Sequence, residues 1–292
     1  MSSPPGEQSS SSSKPTNNHK KIHYAPDELV VNYHDACIYG RDLALLEESP
    51  TAWLNDACLH FALTDLQTQQ QQSSCSSNNK TTIIFLDPAV VAFLMHQCHD
   101  DDEYQDFIQG ACQGLTHDRV QALVVPINDT FLTNHQHWAV PGLGSHWSLL
   151  VLIKSSSLSS SNIVNGYHFD SIGSSNHNLA VAQAVADKIL RAAAANNNAS
   201  SSSWQQQKHA RVVVQACATP QQGNGYDCGV HVIAAAQAIA ATTSGGDSSN
   251  DEARRAYETK LAQLLEKYDA CWNLRQTLAA RIRQLANAET TR

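Results

Sequence analysis

Residues 228–241, CGVHVIAAAQAIAA, are apolar almost all the way round a helix. A helix without a polar stripe has no face to give to water, so it must be buried and other elements must cover it. Not all of the 292 residues can contribute to that cover. Residues 1–23 are dominated by Ser, Pro, Asn, Gln and Lys, too poor in apolar groups to offset chain entropy, and are expected to be disordered. Similar polar stretches recur near 68–80, 155–161, 196–208 and 242–250. Without them roughly 200 residues remain, the size of one compact domain. The expected organisation is a low-complexity N-terminus over 1–23 and one domain over 24–290, the other polar stretches being surface-loop insertions. Loop-closure entropy grows slowly with length, so such insertions cost little.

Hydrophobic spacing places further elements around the buried helix. Residues 53–66 put Leu54, Cys58, Phe61, Ala62 and Asp65 or Leu66 on one helical face. Asp87-Pro88 starts another helix, with Asp as N-cap and Pro pre-organised at the first helical position. Short apolar runs rich in β-branched residues at 120–127, 147–153, 167–170 and 211–216 read as buried strands. Residues 179–195 have high helix propensity, and 251–288 form a long amphipathic helical segment, broken near 270–273, with no role beyond packing. Strands and helices mix without strict βαβ alternation, which favours an α+β layered domain.

The formal charge of −8, with no basic stripe, argues against nucleic acid as a main partner and suits a basic one. No apolar run reaches the ~18 residues needed to cross a bilayer, so no membrane partner is expected. The first residues lack the apolar core of a signal peptide. Eight cysteines occur without a CxxC pair, several among apolar neighbours, as in a reduced cytoplasmic or nuclear protein. The fourteen histidines are scattered, so no metal and no cofactor is expected.

The residues suited to chemistry centre on GNGYDCGVHV, residues 223–232. Cys228 opens the apolar helix, where the positive end of the helix dipole favours a thiolate. The glycines around it allow a sharp turn and leave backbone N–H groups beside the sulfur, as an acyl-transfer nucleophile with an oxyanion site requires. The same residues also suit a plain turn leading into a helix. A thiolate needs a base, and His146 sits immediately before the 147–153 strand while the next strand ends at Asp170. Neighbouring strands could bring that carboxylate against the imidazole and fix its tautomer. His135 and His137 lie in a polar loop, and His137 is also followed by Trp. Only His146 leads into a continuous apolar strand, and it is the preferred base.

In order along the chain, HWSLLVL, HFDS and PQQGNGYDCGVHV resemble the Ulp/sentrin-specific proteases, with WLND and VVPIND upstream also similar. The papain order Cys, His, Asn does not match. The resemblance covers about 53–241. It implies an α+β, papain-like-superfamily fold of Ulp type with a mixed central sheet flanked by helices. It also implies a thiol protease that cleaves after the Gly-Gly end of a ubiquitin-like modifier. Cys228 is then the nucleophile, His146 the general base and acid, Asp170 the orienting carboxylate and Gln222 the oxyanion donor. Gln221 competes with Gln222 for that last role, and only spacing separates them. Trp53 and Trp147 would clamp the Gly-Gly tail, Asp56 would face it, and Asn128 and Asp129 would contact the modifier.

Within the family the segments are most similar to deneddylases, which implies a Nedd/Rub-type modifier as partner and a monomeric enzyme. SUMO or ubiquitin as modifier, a non-catalytic binding module and an acyltransferase on the same scaffold are the alternatives. The 155–161 insertion lengthens the interval from His146 to Asp170. It is harmless to their pairing if 154–162 is a hairpin loop and fatal to it otherwise.

Overall fold

A computed structural model describes residues 22–73, 82–110, 120–132, 144–153, 163–172, 177–195, 211–242 and 273–290. The insertions near 155–161 and 196–208, residues 243–250, His135, His137 and residues 251–272 lie outside these segments. A hairpin, β1 (Leu29–Tyr33) and β2 (Ala36–Tyr39), leads into α1 (Gly40–Glu47) and α2 (Asp56–Ser73). Then follow β3 (Thr82–Phe85), α3 (Pro88–Gln97), α4 (Asp101–Gly110) and β4 (Val120–Asn128), which ends in a 3₁₀ turn at Asp129–Leu132. β5 (Trp147–Ile153), β6 (Ile163–Phe169), α5 (Leu179–Ala195), β7 (Arg211–Cys217), α6 (Cys228–Thr242) and α7 (Leu274–Thr290) complete the described chain.

The main sheet has the order β3-β4-β5-β6-β7. Its outer pairs are parallel and the two pairs flanking β5 are antiparallel, so the sheet is mixed. β5 runs through the middle with every residue after Trp147 buried. Alternation along the strand sends Leu149, Val151 and Ile153 to one face and Leu150 and Leu152 to the other. On the first face lie α2, α6, α7 and the hairpin, with Phe61, Ile233, Ile239 and Ile282 in the core. On the second, α3, α4 and α5 supply Leu94, Phe107, Val185 and Ile189. Helices on both faces of one mixed sheet make the three-layer α+β arrangement that the apolar runs call for. β5 and β6 pair antiparallel from Leu149↔Phe169 to Ile153↔Asn165, so the insertion between them does not separate the strands.

Local chemistry explains most boundaries. Asp87 caps α3 by accepting from the Ala89 N–H at 2.9 Å, with Pro88 in the first helical position as expected. Asn55 caps α2 through the Cys58 N–H at 3.1 Å, so Trp53 and Leu54 precede that helix. At its other end α2 continues through residues 68–73, where a polar insertion was expected. Thr68 Oγ1 bonds the Thr64 carbonyl at 2.9 Å and Gln69 Nε2 reaches Asp65 at 2.7 Å. Glutamine is a good helix former, and these turn-to-turn bonds keep the helix going. Ile22 and His23, expected in the disordered N-terminus, are described, and the Ile22 carbonyl accepts from Arg283 at 2.9 Å.

Five elements were not expected from the spacing: the two strands of the hairpin, α1, β3 and α4. The hairpin turns on His34 and Asp35, both at positive φ (49° and 69°). A two-residue turn of that hand favours Asn-Gly, and His-Asp does not advertise it. α4 begins with a reciprocal cap in which Asp100 accepts from the Glu103 N–H (2.9 Å) and Glu103 from the Asp100 N–H (3.2 Å).

Leu150 is fully buried in the central strand. Leu150→Ala is expected to cost about 2–5 kcal/mol. In urea unfolding this appears as a lower midpoint with an unchanged slope.

Candidate active site

His146 stands just before β5 and Asp170 just after β6, so the antiparallel pairing of the two strands sets their side chains beside each other. Their contact is short, His146 Nε2 to Asp170 Oδ1 at 2.6 Å, and both residues are buried at 2 % exposure. The same Asp170 oxygen accepts the Ile172 N–H at 3.0 Å. The other ring nitrogen, His146 Nδ1, is buried and makes no hydrogen bond among the described residues. Burial alone would lower the imidazole's pKa. The bond to Asp170 and the neighbouring Cys228 side chain outweigh it and raise the pKa from 6.5 to about 9. Burial likewise opposes the charge on Asp170, yet His146 and the Ile172 N–H hold its pKa below 3.8.

Cys228 is the first residue of α6 and is 1 % exposed. The turn before it is built by Asn224, whose Oδ1 accepts the N–H groups of Tyr226 and Asp227 at 3.0 Å each. Asn224 Nδ2 donates to Asp227 Oδ2 at 2.8 Å. The glycines divide the work differently from the sequence expectation. A Cβ at Gly223 or Gly225 would meet nothing within 4 Å, whereas one at Gly229 would press on Leu54 Cβ at 3.0 Å and Leu59 Cδ1 at 3.2 Å. Close approach is therefore needed just after the cysteine, where α6 packs on the Leu54 segment. The side chain of Asn224, more than the glycines before Cys228, shapes the turn.

Gln222 and Gln221 are separated by their partners. Gln222 Oε1 accepts from Ser171 Oγ at 2.7 Å, its Nε2 donates to the Asn224 carbonyl at 2.6 Å, and its N–H reaches the Ser171 carbonyl at 2.8 Å. A carbonyl can only accept, so the amide nitrogen must face Asn224, which leaves one further N–H on Nε2. Gln221 is exposed and donates to the Asp170 and Thr219 carbonyls at 3.2 and 2.9 Å.

Trp147 Nε1 donates to the Leu54 carbonyl at 3.1 Å, which joins the start of β5 to the segment bearing Trp53. Trp53 is 43 % exposed, an aromatic face open to solvent, and Asp56 is exposed at the start of α2. Asn128 is buried, with Oδ1 accepting from the Thr130 N–H at 3.0 Å and its hydroxyl at 2.6 Å. Asp129 accepts the N–H groups of Ser145 (2.9 Å) and His146 (3.3 Å) and the Ser145 hydroxyl. The Asp129 carboxylate thus clasps the loop that delivers His146, a task the sequence did not reveal.

A second polar layer lies behind the pair. His168 Nε2 meets Ser148 Oγ at 2.9 Å, and Asn178, ahead of α5, donates to Ser148 Oγ at 3.2 Å and to the His146 carbonyl at 3.4 Å. Burial pushes His168 from 6.5 down to about 4, so it stays neutral beside the charged pair. Ser148, Ser171 and Asn178 are short polar residues of loops and strands, and nothing in their spacing marks them.

A buried imidazole fixed by a carboxylate, beside a cysteine at a helix N-terminus, is the equipment of a thiol acyl-transfer enzyme. Residues 52–271 match the Ulp1 protease family, C-terminal catalytic domain, and the chain belongs to that family. It is a cysteine protease that acts on ubiquitin-like modifiers. It is 29 % identical over 208 residues to a probable sentrin-specific protease 8 of Dictyostelium discoideum, covering 71 % of this chain and 73 % of that protein. It is 27 % identical over 228 residues to the NEDD8-specific protease 1 of Arabidopsis thaliana, covering 77 % and 82 %. The fold is similar to the crystal structure of a de-sumoylating protease, at TM-score 0.52 and 15 % identity over 87 % of this chain and 88 % of that one.

The two buried histidines tilt stability in opposite directions. His146 binds its proton more tightly when folded, so its contribution is complete below pH 6.5 and is lost as pH rises through about 9. His168 resists protonation when folded, so its contribution is complete above pH 6.5 and is lost as pH falls towards about 4. Urea unfolding across pH is expected to show greatest stability near 6.5, between the two limbs. A stability that still climbs at pH 9 would contradict the proton on His146.

Proposed function

We propose that this protease processes or deconjugates a Nedd/Rub-type modifier, cleaving after its C-terminal Gly-Gly. The observation that carries the chemistry is the His146–Asp170 contact at 2.6 Å, with the Cys228 side chain close enough to the same ring to help raise its pKa. The modifier assignment draws on the deneddylase-like segments and on the similarity to a relative named a NEDD8-specific protease. No helix among the described residues is long and apolar enough to cross a membrane, and Cys37, Cys58, Cys98, Cys217 and Cys228 are free thiols. The free thiols suit the reduced cytoplasm or nucleus, and a monomer would leave the site open to a bulky folded modifier. Its domain would span 24–290, with the polar stretches as loop insertions.

In this reading the Cys228 thiolate attacks the carbonyl carbon of the terminal glycine. Gln222 Nε2 and the Cys228 N–H stabilise the oxyanion that forms. Because Nε2 of His146 is committed to Asp170, Nδ1 carries the proton that goes to the leaving amine, either a peptide extension or a target lysine. The C–N bond breaks and a thioester remains on Cys228. Nδ1 then takes a proton from water as the water attacks, and the carboxylate leaves with the thiol restored. Asp170 keeps the imidazole in the tautomer and orientation that both steps need. Trp53 and Trp147 form the walls for a tail without side chains, Asp56 faces that tail, and Asn128 and Asp129 lie on the modifier side.

Nedd-, SUMO- and ubiquitin-type modifiers carrying a C-terminal electrophile give the direct test. Covalent capture of the Nedd type above the others, lost in Cys228→Ala, is expected. Capture of another modifier keeps the chemistry and overturns the assignment, and capture of none by folded protein overturns both. Gln222→Ala is expected to lower kcat by about 10²–10³ with little change in KM, read with a fluorogenic Gly-Gly modifier substrate.

A further inference from the structure

Arg275 is the second residue of α7 and is 8 % exposed. Its guanidinium reaches three separate stretches of chain. Nε and Nη2 donate to Asp227 Oδ1 at 3.3 and 2.9 Å, and Nη2 also reaches the Tyr226 carbonyl at 3.4 Å. Nη2 donates to the Ala52 carbonyl at 2.7 Å, and Nη1 to the Leu45 carbonyl at 3.3 Å. Asp227 immediately precedes Cys228, and Ala52 immediately precedes Trp53.

We infer that Arg275 is a positioning residue that fixes the distance between the Trp53 wall and the Cys228 turn. It touches no reacting atom. Its effect passes along two short routes. On one side Asp227 takes the guanidinium on Oδ1 and Asn224 on Oδ2, and Asn224 shapes the turn into α6. On the other, the Ala52 carbonyl anchors a segment whose next residues are held by Trp147, at the Leu54 carbonyl (3.1 Å), and by Asp42, which accepts from Asn55 Nδ2 at 2.7 Å. With α6 packed on Leu54 at Gly229, the two sides already touch, and Arg275 sets them in register. The other arginines of α7 that pair with carboxylates do not reach these segments. Arg281 pairs with Asp65 at 3.0 Å, and Arg283 with Glu47 at 2.6 Å and the Ile22 carbonyl. The planar guanidinium spreads three nitrogens in a fixed fork, so Nε and Nη2 grip Asp227 while Nη2 and Nη1 hold Ala52 and Leu45, a spacing that a compact ammonium does not reproduce.

The inference rests on the protease reading, and the test keeps the two apart. Wild type, Arg275→Lys, Arg275→Ala and Arg281→Ala are compared in the full chain for three readouts. These are capture by the electrophilic modifier that labels wild type best, alkylation of Cys228 by iodoacetamide, and thermal unfolding. A small alkylating reagent does not span the wall and the turn, whereas a Gly-Gly tail must. Misplacement of this kind is expected to slow capture by about 10²-fold in Arg275→Ala and about tenfold in Arg275→Lys. Alkylation should fall by far less in both. Arg281→Ala should lower the unfolding temperature and leave capture unchanged. Should Arg275→Ala fail to fold, Arg275→Lys, which keeps the aliphatic stem and the charge, carries the same comparison. The inference is overturned if Arg275→Lys captures the modifier as fast as wild type, or if capture and alkylation fall in the same proportion. If wild type captures no modifier, the protease reading falls and the inference with it.

Discussion

The central strand β5 has no polar face to show to water, and this one constraint organises the molecule around it. Every residue from Ser148 to Ile153 is buried, so both sides of the sheet must be covered. One cover is built from α2, α6 and α7, the other from α3, α4 and α5. Of the first set, α6 is the most demanding, because Val230, Val232, Ile233, Ala235 and Ile239 are all buried and exposure is confined to Gln237 and Ala241 near its far end. Packing an apolar helix across an apolar strand brings the first residue of the helix to the end of the sheet where the strand begins. Cys228 and His146 occupy those two positions. The site thus lies where two hydrophobic requirements meet.

Charge at that edge is costly unless it is paired, and the arrangement around His146 answers this in layers. Asp170 offsets the burial of the imidazole and is itself held by the Ile172 N–H. Behind the pair, His168 remains neutral, so the second imidazole adds polarity without a second buried charge. Ser148 and Asn178 fasten this layer to the backbone of His146. The backbone of Ser145 and His146 is held from the other side by Asp129. An imidazole clasped in this way has little orientational freedom left to lose, which suits the proton relay proposed for it.

The site is also tied to distant parts of the chain. The segment that precedes α2 donates to Asp42 in α1 and accepts from Trp147 in β5 and Arg275 in α7. These partners come from near the start, the middle and the end of the described sequence. An open aromatic face such as Trp53 can keep a fixed position only if the backbone beneath it is held. Exposure of the ring and rigidity of its support are therefore compatible.

Sequence alone determined the elements whose pattern is dictated by burial or by a local cap. Residues 147–153 and 179–195 take the structures their composition predicts, and the Asp87-Pro88 start of α3 follows from its cap. The ordered segments around His146, Asp170 and Cys228 also carried the resemblance to the family whose model matches residues 52–271. The hairpin stayed hidden because His34 and Asp35 take positive φ without glycine or asparagine. The extension of α2 stayed hidden because a glutamine-rich run reads the same in a loop as in a helix. Only the tertiary structure decided that Asp129 holds the loop before His146, that Asn224 builds the turn before Cys228, and that Arg275 joins two segments far from it in sequence. The physical reason is that hydrophobic periodicity is written in neighbouring residues, whereas a buried hydrogen bond is satisfied by whichever group the packed fold brings within reach.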